Sequence, residues 1–273
     1  MPAMSDTVVF GVDFTSAPRA AKPIRVAGGQ RHAAVVRLNG LVALYSLEDF
    51  SGWLARPGPW VAGFDLPFGL PRELVETLGW PMDYAALMAH YSALSREDIR
   101  DRFAAFCAAR PAGGKFAHRA CDGPAGASPS MKWVNPPVAW MLHAGVPRLI
   151  AAGVHLSGHL AGDASRVALE AYPGLLAREL VGRRSYKSDT KAAQTPERLI
   201  ARKDIVDALE QGRTRLGLRL KLSHAQRDEL VADASGDSLD AVLAMLQAAW
   251  AAAQPRHGWP EGVDPLEGWI ASA

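Results

Sequence analysis

Two aspartates open an apolar stretch near the end of the chain. In GDSLDAVLAMLQAAW, residues 236–250, Asp237 and Asp240 stand at the start of a predicted buried helix. Their i, i+3 spacing puts both carboxylates on one side of the first turn. One interpretation is that they cap the helix, which suits Asp237 better than Asp240. The other is that they meet further acids and hold a cation, since an unpaired carboxylate is costly to bury.

Two further aspartates stand where predicted buried strands end. Asp13 lies in GVDFTS and Asp65 in GFDLPFG, and each taken singly is a typical turn residue. Four carboxylates that converge at the rim of a sheet repel one another unless a cation is bound. Hard oxygen ligands favour Mg²⁺ or Mn²⁺, and two such ions about 3.5–4 Å apart are a recurring device for phosphodiester hydrolysis. On this interpretation, Asp240→Asn removes a repelling charge and leaves the melting temperature unchanged or higher.

The elements that must position these acids follow from apolar patterning. TVVFGVDF predicts a buried strand over Thr7–Phe14, and PWVAGFD predicts another over Trp60–Asp65. The Asn39-Gly40 pair lies between two apolar runs and predicts a hairpin turn. SRVALEAYPG predicts a later strand that ends at Glu170. The first 70 residues therefore predict mostly sheet, with one short helix in LEDFSGWLA.

Helices are predicted over most of the remaining chain. Residues 72–160 are mainly helical and loop-rich in pattern, and TPERLIARKDIVDALEQG begins and ends with helix-boundary residues. A glycine- and proline-rich stretch over residues 111–137 predicts a long surface loop. No repeat or clear linker divides the chain. We therefore predict a single domain over residues 1–273 with a helical and loop insertion over 72–160.

Composition limits the class of protein. The net charge of +2 over 273 residues is too small to indicate a particular class of binding partner. Two cysteines are too few for a disulfide framework and indicate a reducing compartment. The N-terminal sequence has no signal-peptide pattern, and no apolar run is long enough to span a membrane. These features predict a cytoplasmic protein without a membrane partner.

Four short motifs, in order, resemble one family. GVDFTSAP, GFDLPFGLP, EAYPG and GDSLDAVLA are similar to motifs of domain-of-unknown-function family 429, predicted nucleases of the ribonuclease H-like fold. The resemblance spans Asp6 to about Trp269. It implies an α/β fold with a mixed five-stranded ribonuclease H-like sheet flanked by helices.

The resemblance also implies roles for the acids. The superfamily places one acid on the first strand, one on the fourth and one or two on the last helix. By position, the implied metal ligands are Asp13, Asp65, Asp237 and Asp240. Glu170 is implied as a fifth catalytic acid, either as a ligand or as a group that supports the ligands. The family often has a histidine just before the first helix acid, where this chain has Gly236.

Basic residues are the candidates for holding nucleic acid. Between Arg178 and Lys221 there are 12 Lys or Arg against 6 Asp or Glu. Arg183 and Arg184 either contact phosphates or form a solvated face, and Lys187 follows the Glu170 strand closely enough to reach the acids. Lys132 adjoins Trp133, a pair that can hold a base and its phosphate or simply belong to a structural loop.

Three functions remain open from the sequence. The first is a metal-dependent nuclease that uses Mg²⁺ or Mn²⁺ at a two-metal carboxylate site on DNA or RNA. The second is an ATP-dependent phosphotransferase or ATPase of the related sugar kinase-like fold, for which DFTS at residues 13–16 is a loose match. The third is a non-catalytic nucleic-acid-binding module.

Overall fold

A mixed sheet of seven strands forms the centre of the molecule. The computed structural model describes residues 6–273. The strands are β1 (Thr7–Asp13), β2 (Ile24–His32), β3 (Val35–Leu44), β4 (Trp60–Asp65), β5 (Val154–Leu156), β6 (Asp163–Glu170) and β7 (Arg219–Lys221). Their order across the sheet is β5-β6-β4-β1-β2-β3-β7.

The direction of the strands divides the sheet. β1, β2 and β3 form an antiparallel meander, whereas β4 is parallel to β1 and β6 is parallel to β4. β5 is parallel to β6 and β7 is parallel to β3 at the two edges. The predicted α/β class is confirmed, but the predicted count of five strands is wrong. The two additional strands have three residues each, too few for a recognisable period in the sequence.

Helices flank the sheet. They are α1 (Leu47–Leu54), α2 (Arg72–Thr77), α3 (Tyr84–Ala93), α4 (Arg96–Ala108), α5 (Asp122–Ala125), α6 (Val138–Ala151), α7 (Pro173–Val181), α8 (Pro196–Glu210), α9 (His224–Ala232) and α10 (Asp237–Ala251). Helices α2 to α6 lie between β4 and β6 in the chain, where the insertion over residues 72–160 is predicted. Within residues 6–273, no helix has both the length and the apolar character needed to cross a membrane.

The predicted hairpin turn at Asn39-Gly40 is wrong. Both residues lie inside β3, and the chain reverses at residues 33–34, where Ala33 has a positive φ of 52°. Gly28 pairs with Gly40 and Gly29 pairs with Leu38, so that Asn39 is the additional residue of a bulge. Asn and Gly are frequent in both bulges and hairpin turns, because both interrupt regular strand geometry. The residue types alone therefore do not distinguish the two.

Helix α10 packs directly on the backbone of the central strands. A Cβ atom at Gly11 of β1 would lie 2.0 Å from the carbonyl oxygen of Ala241, and one at Gly63 of β4 would lie 2.5 Å from that of Ala244. Only glycine permits this approach. Because Gly11 lies two residues before Asp13, the contact places the first turn of α10 beside the end of β1.

A methyl group at this contact should destabilise the fold. We expect Gly11→Ala to lower the free energy of unfolding by about 1–3 kcal/mol or more, because overpacking moves α10 away from β1. Urea denaturation measures the loss. The control is Gly40→Ala, also in the sheet, where a Cβ would meet no atom within 4 Å. Equal losses in the two variants would contradict the proposed role of this contact.

Candidate active site

Asp13 and Asp65 are neighbours at one end of the sheet. They are the last residues of the parallel strands β1 and β4, and their Cα atoms are partners in the register. Both are partly buried and line a cleft of about 440 Å³, which we call the acidic cleft. No hydrogen bond from any residue in the described part of the chain reaches either carboxylate. The two groups are therefore close together and without a protein donor.

The first turn of α10 adds Asp237 and Asp240, which are 4% and 0% exposed. Neither caps the helix: Gly236 occupies the N-cap position, and Asp233 Oδ2 accepts a hydrogen bond from the backbone N–H of Ser238 at 2.9 Å. Neither acid therefore makes the predicted capping hydrogen bond, which Asp233 makes instead, although both lie in the first turn, where the helix dipole favours negative charge. Asp237 lines the acidic cleft with Asp13 and Asp65.

Two lysines pair with the helix acids. Lys187 donates to Asp240, whose other oxygen accepts a hydrogen bond from the Tyr186 hydroxyl. Lys22 donates to Asp237 at 2.7 Å and to the exposed Asp189 at 2.7 Å. The sequence prediction that Lys187 reaches the acids is borne out by this contact, whereas Lys22 lies in a segment without any motif.

These contacts change the expectation for Asp240→Asn. The sequence predicted that the substitution relieves repulsion and leaves the melting temperature unchanged or higher. In the structure, Asp240 is fully buried and paired with Lys187, so the substitution breaks an ion pair. We therefore expect a lower melting temperature, and the unpaired acids Asp13 and Asp65 are the positions where loss of charge relieves repulsion.

Burial and neighbouring charges raise the pKa values of the strand acids. Burial is the largest cause for both. The pKa of Asp13 is raised well above its ordinary value, with further contributions from Asp240 and Asp237. The pKa of Asp65 is raised to about 7, with a further contribution from Asp240. Burial alone would lower the pKa of Lys187, but the charge of Asp240 raises it overall. Without a further cation, the strand acids thus resist ionisation at neutral pH.

Glu170, the predicted fifth acid, is held by an arginine. It ends β6, beside β4, and both its oxygens accept hydrogen bonds from Arg119 at 2.7 Å. One of them also accepts from the backbone N–H of Phe68 at 2.8 Å, and Asp122 binds Arg119 from the other side at 2.9 Å. Although Glu170 lines the acidic cleft, this buried cluster favours a supporting role over a ligand role. The sequence did not point to Arg119.

The acids have the ligand chemistry that a divalent cation requires, but their side chains are not arranged around a common point. Carboxylate oxygens are the hard ligands that Mg²⁺ and Mn²⁺ prefer. However, across residues 6–273 no three His, Cys, Asp or Glu side chains are arranged to hold an ion. Asp13 and Asp65 are open to a cation as they stand. Asp237 and Asp240 could bind a cation only if it displaced their present partners, Lys22 and Lys187.

Of the remaining basic candidates, two line a depression that Asp65 also lines. Arg183 and Arg184 line, together with Arg178, a second depression of about 450 Å³, which we call the basic groove. Lys132 is outside both the acidic cleft and the basic groove. Its neighbour Trp133 packs against Phe116, with ring centroids 5.8 Å apart. The structural-loop interpretation therefore suits this pair better.

The raised pKa values predict how stability depends on pH. The folded protein keeps a proton on Asp65 that the unfolded chain releases above its ordinary pKa of 3.8. The free energy of unfolding contributed by this group therefore falls as the pH rises from about 4 to about 7. Without added metal, we expect the stability of the Asp65→Asn variant to fall less over this pH range than that of the wild type. Near pH 7 the variant should therefore have the higher melting temperature. Thermal denaturation from pH 4 to pH 7, with and without millimolar Mg²⁺, measures the difference. Identical pH profiles of the melting temperature for wild type and variant would contradict a raised pKa of Asp65.

Unlike Asp65→Asn, a neutral substitution of Glu170 should destabilise the folded protein. Glu170→Gln removes one of the two buried charges that balance Arg119, and we expect a loss of about 1.5–3 kcal/mol in the free energy of unfolding, because Asp122 still pairs with the arginine. Urea denaturation at neutral pH gives the value, with the exposed acid substitution Glu97→Gln as the control. A stabilised Glu170→Gln variant would instead place this acid among the repelling group.

Comparisons of the chain with protein-family models, curated proteins and solved structures found no match. The resemblance to domain-of-unknown-function family 429 therefore stays a prediction, and the function must be argued from the geometry of the acidic cleft.

Proposed function

We propose that this chain is a metal-dependent nuclease with a ribonuclease H-like core. The observation that carries the proposal is that Asp13, Asp65 and Asp237 line one cleft at the end of the central strands, with Asp240 on the same helical turn as Asp237. The order β3-β2-β1-β4-β6, with β2 antiparallel to its neighbours, supports the fold. The acids at the ends of β1 and β4 and on the last long helix match the placement that the resemblance implies.

The unpaired strand acids are the primary ligands in this proposal. Asp13 and Asp65 have no protein donor, and a divalent cation would stabilise their ionised forms. Such an ion supplies Lewis acidity and lowers the pKa of bound water. Asp237 and Asp240 would complete the site, where the lysines now supply the opposing charge.

The remaining polar residues of the acidic cleft would position the substrate. Lys22 and Lys187 place ammonium groups beside the acids, where each can move from a carboxylate to a phosphate oxygen. Thr15 and Ser16 follow Asp13 into the acidic cleft and offer hydroxyl groups to a phosphate or a sugar. The Arg119–Glu170 pair keeps the end of β6 rigid beside β4.

Cleavage of labelled oligonucleotides tests the proposal. We expect single- or double-stranded DNA or RNA to be cut in the presence of Mg²⁺ or Mn²⁺ and left intact in EDTA. Asp13→Asn should reduce the rate at least about 100-fold, since even residues behind a metal ligand matter by 10- to 100-fold. The matched control is Asp101→Asn, an exposed acid on α4, which should keep the wild-type rate.

The alternative functions give different results in the same preparation. Turnover of ATP that depends on Asp13, without cleavage of any oligonucleotide, would favour the phosphotransferase. Metal-independent binding of nucleic acid that survives Asp13→Asn, with neither activity, would favour a binding module. Either result would overturn the nuclease proposal.

A further inference from the structure

The acidic cleft and the basic groove meet at Asp65. Asp65, Tyr172 and Lys187 line both depressions and form the divide between them. Each depression has a volume within the range of about 300–1,000 Å³ that is usual for ligand sites. A ligand that reaches the acids can therefore extend in two directions, into surroundings of different chemistry.

Part of the lining of the acidic cleft is apolar. Pro136, Pro137, Val138 and Met141 lie together where α6 begins, and we call them the apolar wall. The apolar wall has no donor or positive charge to bind a phosphate, but it can pack against the flat face of a nucleobase. Methionine is adaptable at such contacts, and stacking on apolar surfaces tolerates any base. Because the same cleft contains Asp13 and Asp237, a base on this wall would bring its own phosphate to the acids.

The other direction is lined by arginines. Arg183 is exposed and has no ion-pair partner within the part of the chain that the structure describes, whereas Arg184 pairs with Asp204 at 2.7 Å across an exposed contact. Arg178 donates to the backbone oxygens of Ala125 and Gly126 at 3.2 and 3.0 Å and so holds one wall in place. Cations that follow a groove suit the phosphates of a nucleic-acid backbone.

We infer that the substrate is single-stranded nucleic acid, with one unpaired base in the acidic cleft and the adjoining phosphates along the basic groove. The scissile phosphate would lie at the divide, a position that rests on the proposed function. In a duplex, each base is stacked and paired, so it cannot reach a wall that faces the acids unless it leaves the helix. DNA and RNA share the recognised chemistry, and the experiment separates them.

Binding measured without cleavage tests the inference. Fluorescence anisotropy of labelled single-stranded DNA, single-stranded RNA and a duplex of equal length is read with Ca²⁺ in place of Mg²⁺. We expect at least one single strand to bind at least about tenfold more tightly than the duplex. Equal affinity for the duplex would overturn the inference, even if cleavage depends on Asp13.

Two variants place a charge on the apolar wall. Met141→Glu should weaken single-strand binding at least about tenfold, because a carboxylate would replace the apolar contact with the base and repel its phosphate. Pro137→Glu, at an exposed position on the rim, gives the same test if the first variant does not fold. The control is Met82→Glu, since Met82 is exposed and lines neither depression. Equal affinities for the cleft variants and the control would overturn the inference.

A third variant examines the basic groove. Arg183→Ala should reduce the slope of log affinity against log salt by about 0.7, the value for one phosphate contact on a single strand. Arg102→Ala, at an exposed position on α4, should leave the slope unchanged. An unchanged slope for Arg183→Ala would remove the basic groove from the path. Strand-selective binding that needs the acidic cleft, without any cleavage in Mg²⁺ or Mn²⁺, would overturn the nuclease proposal but support this inference.

Discussion

The contact of α10 with the backbone of β1 and β4 is the constraint on which the site depends. Gly11 and Gly63 have no side chains, so carbonyl oxygens of the helix lie within 2.0 and 2.5 Å of the positions that Cβ atoms would occupy. This contact aligns the first turn of α10 with the ends of both strands. Any side chain at these positions would separate helix from sheet and move Asp237 and Asp240 away from Asp13 and Asp65.

Charge balance distinguishes two groups of acids at this edge of the sheet. Glu170 is buried with Arg119, and its oxygens are supplied with hydrogen bonds. Asp65 is on the neighbouring strand β4 and Asp13 on the next strand β1. Neither has a donor within residues 6–273, and burial together with the helix acids raises their pKa values. The same chemical group is therefore ion-paired on β6 but has a raised pKa on β1 and β4, because its surroundings differ.

The lysines connect this electrostatic arrangement to the proposed chemistry. Lys22 and Lys187 neutralise the helix acids, while no side-chain cation within residues 6–273 pairs with Asp13 or Asp65. Both lysines line the acidic cleft, where a phosphate would also find them. In the proposed complex, the apolar start of α6 would contact a base and the arginines of the basic groove would contact the adjoining phosphates.

Local pattern was sufficient for most of the elements and for the acids. Trp60–Asp65 was predicted to the residue, because a continuous apolar β-branched and aromatic run ends at a proline-rich turn. Asp13, Asp65, Asp237 and Asp240 stood out since each lies at the boundary of a strongly patterned element. Asn39-Gly40 was assigned to a turn because bulges and turns favour similar residues, and pairing across strands decides between them.

The partners of the acids could be learned only from the folded chain. Lys22 and Asp237 are 215 residues apart in the sequence, and Arg119 and Glu170 are 51 residues apart. Such contacts leave no periodicity or motif, because they arise where distant segments close over the same edge of the sheet. The sequence therefore determined which carboxylates gather. Tertiary packing decided which of them are neutralised by lysine or arginine and which remain open to a cation.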